Sequence, residues 1–243
     1  MNSSIASGGK AIYGAAIGIL MLEARFPRIP GDIGHAGTFP FPVLYKVVAG
    51  ARPEHVVRRR AQGLLDAFVD GARELVSMGA DGITTNCGFL SLFQSELTAA
   101  CDVPVATSSL MQVPFIERLL LPGRRVGILT VSAASLTPDH LEQAGVSPDT
   151  PIQGTEGGRE LTRVLLGDEE RLDVAAARHD VLNAGETLVQ RHPEVGAVLL
   201  ECTNMCPYAA ALRGHIGLPV FDMYNFIGWF HGGLTPRSWM LLP

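Results

Sequence analysis

The sequence predicts an α/β protein built from two pseudo-symmetric, doubly wound parallel-sheet domains that face one another. Apolar runs of strand length alternate with helical segments along the chain, and this alternation is typical of parallel sheets. The chain also repeats itself after 115 residues, because residues 82–88 (GITTNCG) align without a gap with residues 197–203 (AVLLECT). Each copy has a cysteine in the same place, Cys87 or Cys202, and 17 residues later a proline between apolar residues. The repeat therefore predicts two similar halves with one such cysteine in each.

The composition limits which classes of protein are compatible with this sequence. With 243 residues, the chain is long enough for one large domain or for two domains of about 100 to 120 residues each. A chain that is 47% apolar and 18% charged, with a mean hydropathy of +0.23, is expected to bury a sizeable core. The net charge of −5 and the pI near 5.8 give no reason to expect a nucleic acid or an anionic membrane as partner. Four cysteines in a chain of this length favour a reducing cytoplasm over a disulfide framework.

The first predicted element is a buried strand over residues 12–22. Lys10 and the mostly apolar run of twelve residues after it have the charge and length of a signal-peptide core. No small-residue cleavage site follows this run, and twelve residues are too few to cross a bilayer. The run is therefore interpreted as a strand, and no membrane-spanning segment is expected.

Residues 25–46 are predicted to form an irregular loop. They carry four prolines and three glycines, a density at which neither helix nor strand is expected. Loops of this length in compact domains are usually functional, so this one is expected to close over a pocket. Its polar residues are candidates for substrate contact: Arg25, Arg28, Asp32, His35 and Thr38. An arginine such as Arg28 suits a second carboxylate on the substrate, which favours Asp- or Glu-like compounds.

Helical spacing of apolar residues predicts one long helix over residues 53–78, which begins at Pro53 and ends before Gly79. The remaining predicted elements follow in this order: strand 82–86, helix 89–100, strand 103–106, helix 112–121, strand 124–130, helix 136–144, strand 151–153, helical segments over 159–191, and strand 195–200. The predicted first domain is residues 1–112 with 222–243 and carries Cys87. The predicted second domain is residues 113–221 and carries Cys202.

Both repeat cysteines stand at the carboxyl end of a predicted strand, directly before a helical segment. Ligands collect at this end of a parallel sheet, and backbone N–H groups there bind carboxylates and are expected to lower a thiol pKa. One cysteine in such a place would be interpreted as a small buried hydrophobe. Two at equivalent places, Cys87 and Cys202, favour a pocket faced by two thiols. Cys101 and Cys206 are expected only to pack, and no spacing of cysteine and histidine indicates a metal site.

Three segments resemble the aspartate/glutamate/hydantoin racemase superfamily: Asn86-Cys87-Gly88, Glu201-Cys202-Thr203-Asn204 and Pro219-Val220-Phe221-Asp222. The resemblance implies two α/β domains and a reaction without a cofactor, in which Cys87 and Cys202 are opposed acid and base. It also implies that the residues beside each cysteine, and hydroxyls nearby, bind the substrate. These residues are Asn86, Gly88, Phe89, Thr130, Ser132, Thr203 and Asn204.

The residue types agree with proton transfer at a carbon next to a carboxylate. Racemisation removes a proton from one face of the carbon and returns one to the other face, so two weak acid/base groups suffice. The developing enolate needs donors placed in advance, each typically worth about 3 kcal/mol. Pyridoxal phosphate is not expected, because the chain has only two lysines, Lys10 near its start and Lys46 after the proline-rich loop.

The sequence thus favours a cofactor-independent racemase or epimerase that acts on the α-carbon of an amino acid or related carboxylate. Two other activities of the same superfamily stay open: a maleate isomerase-like enzyme with a cysteine nucleophile, and an arylmalonate decarboxylase-like enzyme with a cysteine proton donor. A non-catalytic binding protein for small molecules is the least favoured alternative.

Some residues depart from the pattern of glutamate racemases. Asn204 stands where they carry a histidine, and Gly88-Phe89 stands where they carry Asn-Thr, so strict glutamate racemase activity is not expected. Glu201, directly before the second cysteine, is also unusual; it either tunes that thiol or bonds to backbone. Near the end of the chain, Trp229, Phe230 and residues 239–242 offer apolar area that a homodimer can use.

Overall fold

The computed structural model describes residues 8–239. Its strands form two four-stranded, wholly parallel sheets, with the orders β2-β1-β3-β4 and β6-β5-β7-β8. The strands are β1 Ile17–Leu22, β2 Val43–Val48, β3 Gly82–Thr85, β4 Val105–Ala106, β5 Arg125–Thr130, β6 Ile152–Gly154, β7 Val195–Leu200 and β8 Val220–Phe221. The strand order is the same in both sheets: β6, β5, β7 and β8 take the places of β2, β1, β3 and β4. The predicted fold class, two similar parallel-sheet α/β halves, is confirmed.

The connection between β1 and β2, residues 23–42, contains no helix. Helices connect the later strands in succession, as is usual for parallel pairing. They are α1 Pro53–Arg58, α2 Leu65–Met78, α3 Gln94–Ala100, α4 Val113–Glu117, α5 Pro138–Gln143, α6 Leu161–Gly167, α7 Val174–Arg191, α8 Ala209–Ile216 and α9 Met223–Leu234. Short 3-10 helices follow the strand ends, and two of them, Gly88–Phe93 and Thr203–Tyr208, begin directly after the repeat cysteines. Equivalent positions in the two sheets thus carry the same strand–cysteine–helix arrangement.

The core lies between the sheets and their helices. All six residues of β1 are buried, as expected for a parallel strand that is covered on both faces. Helix α2 buries its apolar face, which includes Phe68, Ala72 and Leu75, against this sheet. Gly18 in β1 permits the close approach, since a Cβ there would lie 3.0 Å from side-chain atoms of both Leu75 and Ile83. Close packing of this kind fixes where β1 and β3 end and hence where the residues after them lie.

Three predicted elements differ from the structure. The single helix over 53–78 is two helices, because Arg60 and Ala61 adopt left-handed backbone conformations (φ 54° and 50°) and Gly63 follows at φ 77°. The proline-rich segment is not wholly irregular: its last proline, Pro42, is followed at once by β2, which pairs with β1 from Ile17↔Val43 to Leu22↔Val48. The first strand begins at residue 17 rather than 12.

After β8 the chain returns to the first half of the molecule. Helix α9 packs against β3, and a Cβ on Gly82 would lie 2.6 Å from Leu234 and 2.7 Å from Phe230. Trp229 and Trp239 are exposed by 72% and 78%, and residues 240–242, the rest of the terminal segment predicted to offer a dimer surface, lie outside the described residues. Among the helices of residues 8–239, none combines the length and the apolar character that crossing a bilayer demands.

Candidate active site

The two cysteine loops meet at the carboxyl ends of β3 and β7. The hydroxyl of Thr203, directly after Cys202, donates to the carbonyl oxygen of Asn86, directly before Cys87. Ser109 strengthens the junction because its hydroxyl donates to the carbonyl oxygen of Leu200 at 2.8 Å. The repeat thus brings its two equivalent strand ends into direct contact, although they are 115 residues apart in the chain.

Both repeat cysteines line one small cleft between the two halves. Cys87 is 9% exposed and Cys202 is 8% exposed. Asn86, Gly88, Phe89, Glu201, Thr203 and Asn204 form much of the remaining polar and backbone lining. Apolar side chains close the rest of it: Leu22, Phe26, Val57, Val131, Leu165 and Leu166. The free volume of about 20 Å³ has room for about one water molecule, so the cleft is closed in this conformation.

The thiols of the cleft are weak acids. Burial, reinforced by the nearby carboxyl of Glu201, raises the pKa of Cys87 to about 12, against the opposing effects of the Phe89 N–H and of Arg28. Burial and Glu201 also raise the pKa of Cys202 well above its usual value, with Cys87 and Asp32 adding to the rise. The expectation that the strand-end position lowers these pKa values is therefore wrong. Desolvation in a nearly closed apolar cleft outweighs the backbone N–H groups.

The segment between β1 and β2 contributes a buried ion pair to the site. Arg28 Nη1 donates to Asp32 Oδ1 at 2.9 Å, and the two side chains are only 14% and 3% exposed. Asp32 Oδ2 accepts a hydrogen bond from the side-chain amide of Asn204, two residues after Cys202. The Arg28 guanidinium also stacks over Phe26, 4.8 Å from the ring centroid, and Phe26 lines the cleft. This segment therefore packs against the second cysteine loop and carries charge to the edge of the cleft.

Three buried polar atoms around the cleft have no hydrogen-bond partner among the described residues: Asn86 Nδ2, Glu201 Oε1 and Arg28 Nη2. The other ends of these side chains are fixed, since Asn86 Oδ1 accepts from the Leu22 N–H at 2.8 Å and Arg28 pairs with Asp32. Buried polar groups in folded proteins nearly always have partners. Asn86 and Glu201 both line the cleft, so their unpartnered atoms indicate that a polar ligand completes them.

Two of the predicted substrate contacts lie behind the cleft rather than on it. Thr130 is fully buried at the end of β5 and its hydroxyl donates to Glu201 Oε2 at 2.7 Å. The Ser132 N–H donates to Thr130 Oγ1 at 3.4 Å, and the Ser132 hydroxyl bonds with that of Ser135. These two residues thus support Glu201, which contacts both the cleft and Gly88.

The other polar residues singled out from the sequence lie away from the thiols. His35 and Thr38 bond within their own loop, and Arg25 forms an exposed ion pair with Glu170. Neither lysine lines the cleft, because Lys10 pairs with Asp81 and Lys46 with Glu74. Within residues 8–239, no group of three or more histidine, cysteine or acidic side chains is arranged to hold a metal ion.

Sequence reasoning missed the contacts that close the cleft. Asp168, at the end of α6 with φ 51°, accepts the backbone N–H groups of Arg25 at 2.6 Å and of Phe26 at 3.3 Å. Leu165 and Leu166 of the same helix line the cleft beside Phe26. A helix of the second half is thus bonded to a loop of the first across the mouth of the site. No local pattern marks Asp168, because its partners lie 142 and 143 residues away.

The arrangement suits proton transfer at a carbon acid. Two thiols face one desolvated cleft, and backbone N–H groups at Phe89 and Asn204 point to the sulfur atoms. An amide, a guanidinium and a carboxyl group surround them with unfilled hydrogen-bonding capacity. Such groups can bind a carboxylate and the negative charge that develops on it when the neighbouring carbon loses a proton.

Curated relatives of the chain include lyases. It is 30% identical over 226 residues to dimethylsulfoniopropionate lyase 6 of Emiliania huxleyi (strain CCMP1516), covering 85% of this chain and 56% of the relative. It is 28% identical over 219 residues to the dimethylsulfoniopropionate lyase of Durusdinium sp. clade D, covering 86% of this chain and 71% of the relative. The chain thus spans little more than half the length of the first of these proteins.

Solved structures with the same fold include other enzymes. Arylmalonate decarboxylase superimposes with a TM-score of 0.59 at 15% identity, over 93% of this chain and 96% of the other. Allantoin racemase from Klebsiella pneumoniae gives a TM-score of 0.58 at 17% identity, with the same coverage of both chains. At these identities the likeness extends to the fold. The model of the Asp/Glu/hydantoin racemase family matches residues 51–226, which include both cysteines of the cleft. The chain belongs to the Asp/Glu/hydantoin racemase family.

Proposed function

We propose that this protein is a cofactor-independent lyase that removes the α-proton of a small carboxylate and expels a leaving group from the β-carbon, with dimethylsulfoniopropionate as the first candidate substrate. The observation that carries the proposal is the similarity to lyases named for this substrate in two organisms. The 15% of the chain outside the first of these alignments is shorter than the segment between either cysteine and its nearer chain end. The aligned span therefore includes both Cys87 and Cys202.

The lining of the cleft supports a substrate with one carboxylate and an apolar, cationic end. Asn86 Nδ2 on the lining is a free donor for a carboxylate, and Arg28, which stacks over the lining residue Phe26, adds a positive charge nearby. Phe26 and the leucines of α6 offer an apolar and aromatic wall, which suits the methyl groups of a sulfonium. A dimethylsulfonium group has no N–H to donate, so it needs no hydrogen-bond acceptors from such a wall.

A cationic substrate would also lower the raised pKa values of the thiols. Burial raises the pKa of each cysteine, and the guanidinium of Arg28 is already paired with Asp32. A positive charge within about 4 to 6 Å of a thiol favours the thiolate. The sulfonium thus helps to generate the base that attacks its own α-proton, whereas a purely anionic substrate would oppose it.

The proposed reaction is a β-elimination. A cysteine thiolate takes the α-proton, and the C–H bonding pair becomes the second bond between the α- and β-carbons. The bond from the β-carbon to sulfur breaks with its electron pair on sulfur, which gives neutral dimethyl sulfide and acrylate. The thiol then returns its proton to water, and no oxidant, reductant or further reactant is consumed. Donors around the carboxylate stabilise the enediolate character that develops as the proton leaves.

A two-thiol racemase or epimerase of an amino acid is the second candidate. The observation that favours it is the presence of both thiols on one cleft, since an elimination needs only one base whereas racemisation needs two. Both candidates share the first step, removal of an α-proton, and differ in whether the carbanion loses a leaving group or regains a proton.

Proton NMR and headspace gas chromatography distinguish the candidates. The protein is incubated in deuterated water with dimethylsulfoniopropionate and, separately, with aspartate, glutamate, allantoin and an arylmalonate. The lyase proposal expects dimethyl sulfide and acrylate in equal amounts from the sulfonium compound. Production of neither, together with α-deuteration and inversion of an amino acid, would replace it by the racemase. The Cys87→Ser/Cys202→Ser double variant is the background control for both readouts.

A further inference from the structure

Glu201 is a buried carboxyl on the cleft that the elimination described above does not use. It directly precedes Cys202, its backbone N–H donates to Leu129 at 2.8 Å, and its side chain is 0% exposed. It also lies against the loop of the other cysteine: a Cβ on Gly88 would stand 2.5 Å from the Glu201 carbonyl oxygen and would overlap Oε1. The carboxyl group therefore sits between the two cysteine loops, where only glycine at position 88 leaves room for it.

The hydrogen bonds to Glu201 assign different roles to its two oxygens. The Ser132 N–H donates to Thr130 Oγ1, and the Thr130 hydroxyl donates to Glu201 Oε2. The Thr130 hydroxyl proton has no other acceptor among the described residues, so Oε2 accepts it. Oε1 has no partner among the described residues. In a neutral carboxyl group held in this way, Oε2 is the carbonyl oxygen and Oε1 carries the proton.

The surroundings of Glu201 oppose its negative charge. The titratable groups close to it are the thiols of Cys87 and Cys202, each of which becomes harder to ionise if Glu201 is charged. No cationic side chain among the described residues bonds to it, since the guanidinium of Arg28 pairs with Asp32. Burial raises the pKa of Glu201 to about 8, with only the Thr130 hydroxyl acting in the other direction. A substrate carboxylate in the cleft adds one more like charge and favours the neutral form further.

Resting on the proposed function, we propose that Glu201 acts as a neutral carboxylic acid whose Oε1–H donates a hydrogen bond to the substrate carboxylate, and more strongly to the enediolate formed as the α-proton leaves. The proton stays on Glu201 throughout. The donor is fixed by Thr130 before the reaction begins, so it needs no reorganisation when negative charge appears on the substrate. This role makes Glu201 a catalytic residue beside the two thiols.

Two variants of matched size test the donor. Glu201→Gln keeps the shape, an oxygen for Thr130 and an N–H in place of the acid proton, so kcat is expected to stay within about threefold of the wild type. Glu201→Met has no donor and is expected to lose about 100- to 1,000-fold in kcat, the usual cost of removing one such donor. Wild-type kcat/KM should rise with pH up to about pH 8 and then level off, because Glu201 ionises there while more of the thiol base becomes ionised, and kcat/KM of Glu201→Gln should keep rising. Equal inactivity of both variants would overturn the proposal. Thermal unfolding shows whether each variant is folded. If Glu201→Met does not fold, the activity and pH profile of Glu201→Gln alone test the proposal.

Calorimetry with propionate tests Glu201 without turnover. At about pH 8.5, the wild-type protein should take up most of one proton when it binds propionate. The uptake is measured from the dependence of the binding enthalpy on the ionisation enthalpy of the buffer. The Glu201→Gln variant should bind propionate without proton uptake. If no compound is turned over, the proposed function fails while this measurement still decides the role of Glu201. No uptake by the wild type, no binding, or equal uptake by the variant would contradict the proposal.

Discussion

Asn204 and Asp32 join the two halves of the molecule beside the thiols. The side-chain amide of Asn204, two residues after Cys202, donates to Asp32 Oδ2, while Asp32 Oδ1 accepts from Arg28 at 2.9 Å and from the Gly34 N–H at 2.7 Å. One carboxylate therefore holds the loop of the first half, the charge of the arginine and the second cysteine loop together. Because Asp32 is 2% exposed, water does not replace these partners in the folded protein.

Removal of this carboxylate should destabilise the protein more than removal of the amide. Asp32→Ala leaves the charge of Arg28 buried without a partner and is expected to lower the free energy of unfolding by about 3 to 5 kcal/mol. Asn204→Ala removes the hydrogen bond to this charged group and a weaker one that Asn204 Oδ1 accepts from the Cys202 thiol at 3.6 Å, and should cost about 1.5 to 3 kcal/mol. Urea denaturation of the two single variants and the double variant measures the coupling free energy between Asp32 and Asn204, which is expected to be about 1 to 3 kcal/mol. Additive losses would show that the bond contributes nothing in solution.

The two thiols should contribute unequally to an elimination. Arg28 lowers the pKa of Cys87, whereas Asp32 and Cys87 raise that of Cys202, so Cys87 is the easier group to ionise. Cys87→Ser is therefore expected to lower kcat for dimethyl sulfide release about 1,000-fold or more, and Cys202→Ser clearly less. Cys101→Ser, at the end of α3 and off the cleft, is the matched control and should retain activity. Equal loss of activity in both variants would instead indicate a mechanism that needs two bases.

Gly88 should not tolerate a methyl group. Its Cβ would stand 2.5 Å from the Glu201 carbonyl oxygen, which belongs to the backbone, and would overlap the carboxyl group that Thr130 holds. Gly88→Ala is expected to displace the carboxyl group from Thr130, to destabilise the fold by about 1 to 3 kcal/mol and to lower kcat. Gly214→Ala in α8, where a Cβ meets nothing within 4 Å, is the control and should stabilise by about 0.4 to 1 kcal/mol. Thermal unfolding and dimethyl sulfide release measure both variants.

Asp168 should control access to the cleft. The free volume of about 20 Å³ admits no substrate, so the cleft has to open before a substrate binds, and we expect the contact between α6 and residues 25–26 to be the one that opens. Asp168→Ala removes the acceptor for two backbone N–H groups and is expected to raise the rate of iodoacetamide alkylation of Cys87 several-fold, measured by mass spectrometry. Glu170→Ala removes only an exposed ion pair with Arg25, which is typically worth about 0 to 1 kcal/mol, and should change the rate little. Unchanged alkylation of the Asp168 variant would place the opening elsewhere.

The sequence was sufficient for the fold because the repeat and the apolar runs are local signals. It was also sufficient to single out Cys87 and Cys202, which the structure brings to one cleft, although their catalytic roles stay predictions. The break between α1 and α2 could not be read, because apolar spacing continues through the left-handed residues Arg60 and Ala61. The raised thiol pKa values depend on how completely two distant loops bury each other, and the role of Asp168 depends on a contact across 143 residues. Such properties arise from packing between the halves and leave no periodic mark on the chain.

His140 should make the stability of the second half depend on pH. It is 0% exposed, its Nδ1 bonds to the backbone N–H and hydroxyl of Thr137, and its Nε2 has no partner among the described residues. Burial first, and then the nearby Arg60, lower the pKa of His140 to about 4, while Asp139 acts in the opposite direction. Its ring meets the edge of Phe89 at 5.2 Å, so its ionisation is expected to disturb the wall of the cleft as well.

The sign of the effect follows from the two pKa values. Between about pH 6.5 and 4 the unfolded chain binds a proton on this histidine and the folded protein does not, so the free energy of unfolding falls as the pH falls through this range. The free energy of unfolding is expected to be about 3 kcal/mol lower at the acidic end of this range than at its upper end. His140→Gln keeps a side chain that can cap α5 and does not titrate, so its stability should fall less over the same range. Urea denaturation at several pH values compares the two proteins, and parallel curves would show that His140 is protonated as readily in the folded protein as in the unfolded chain.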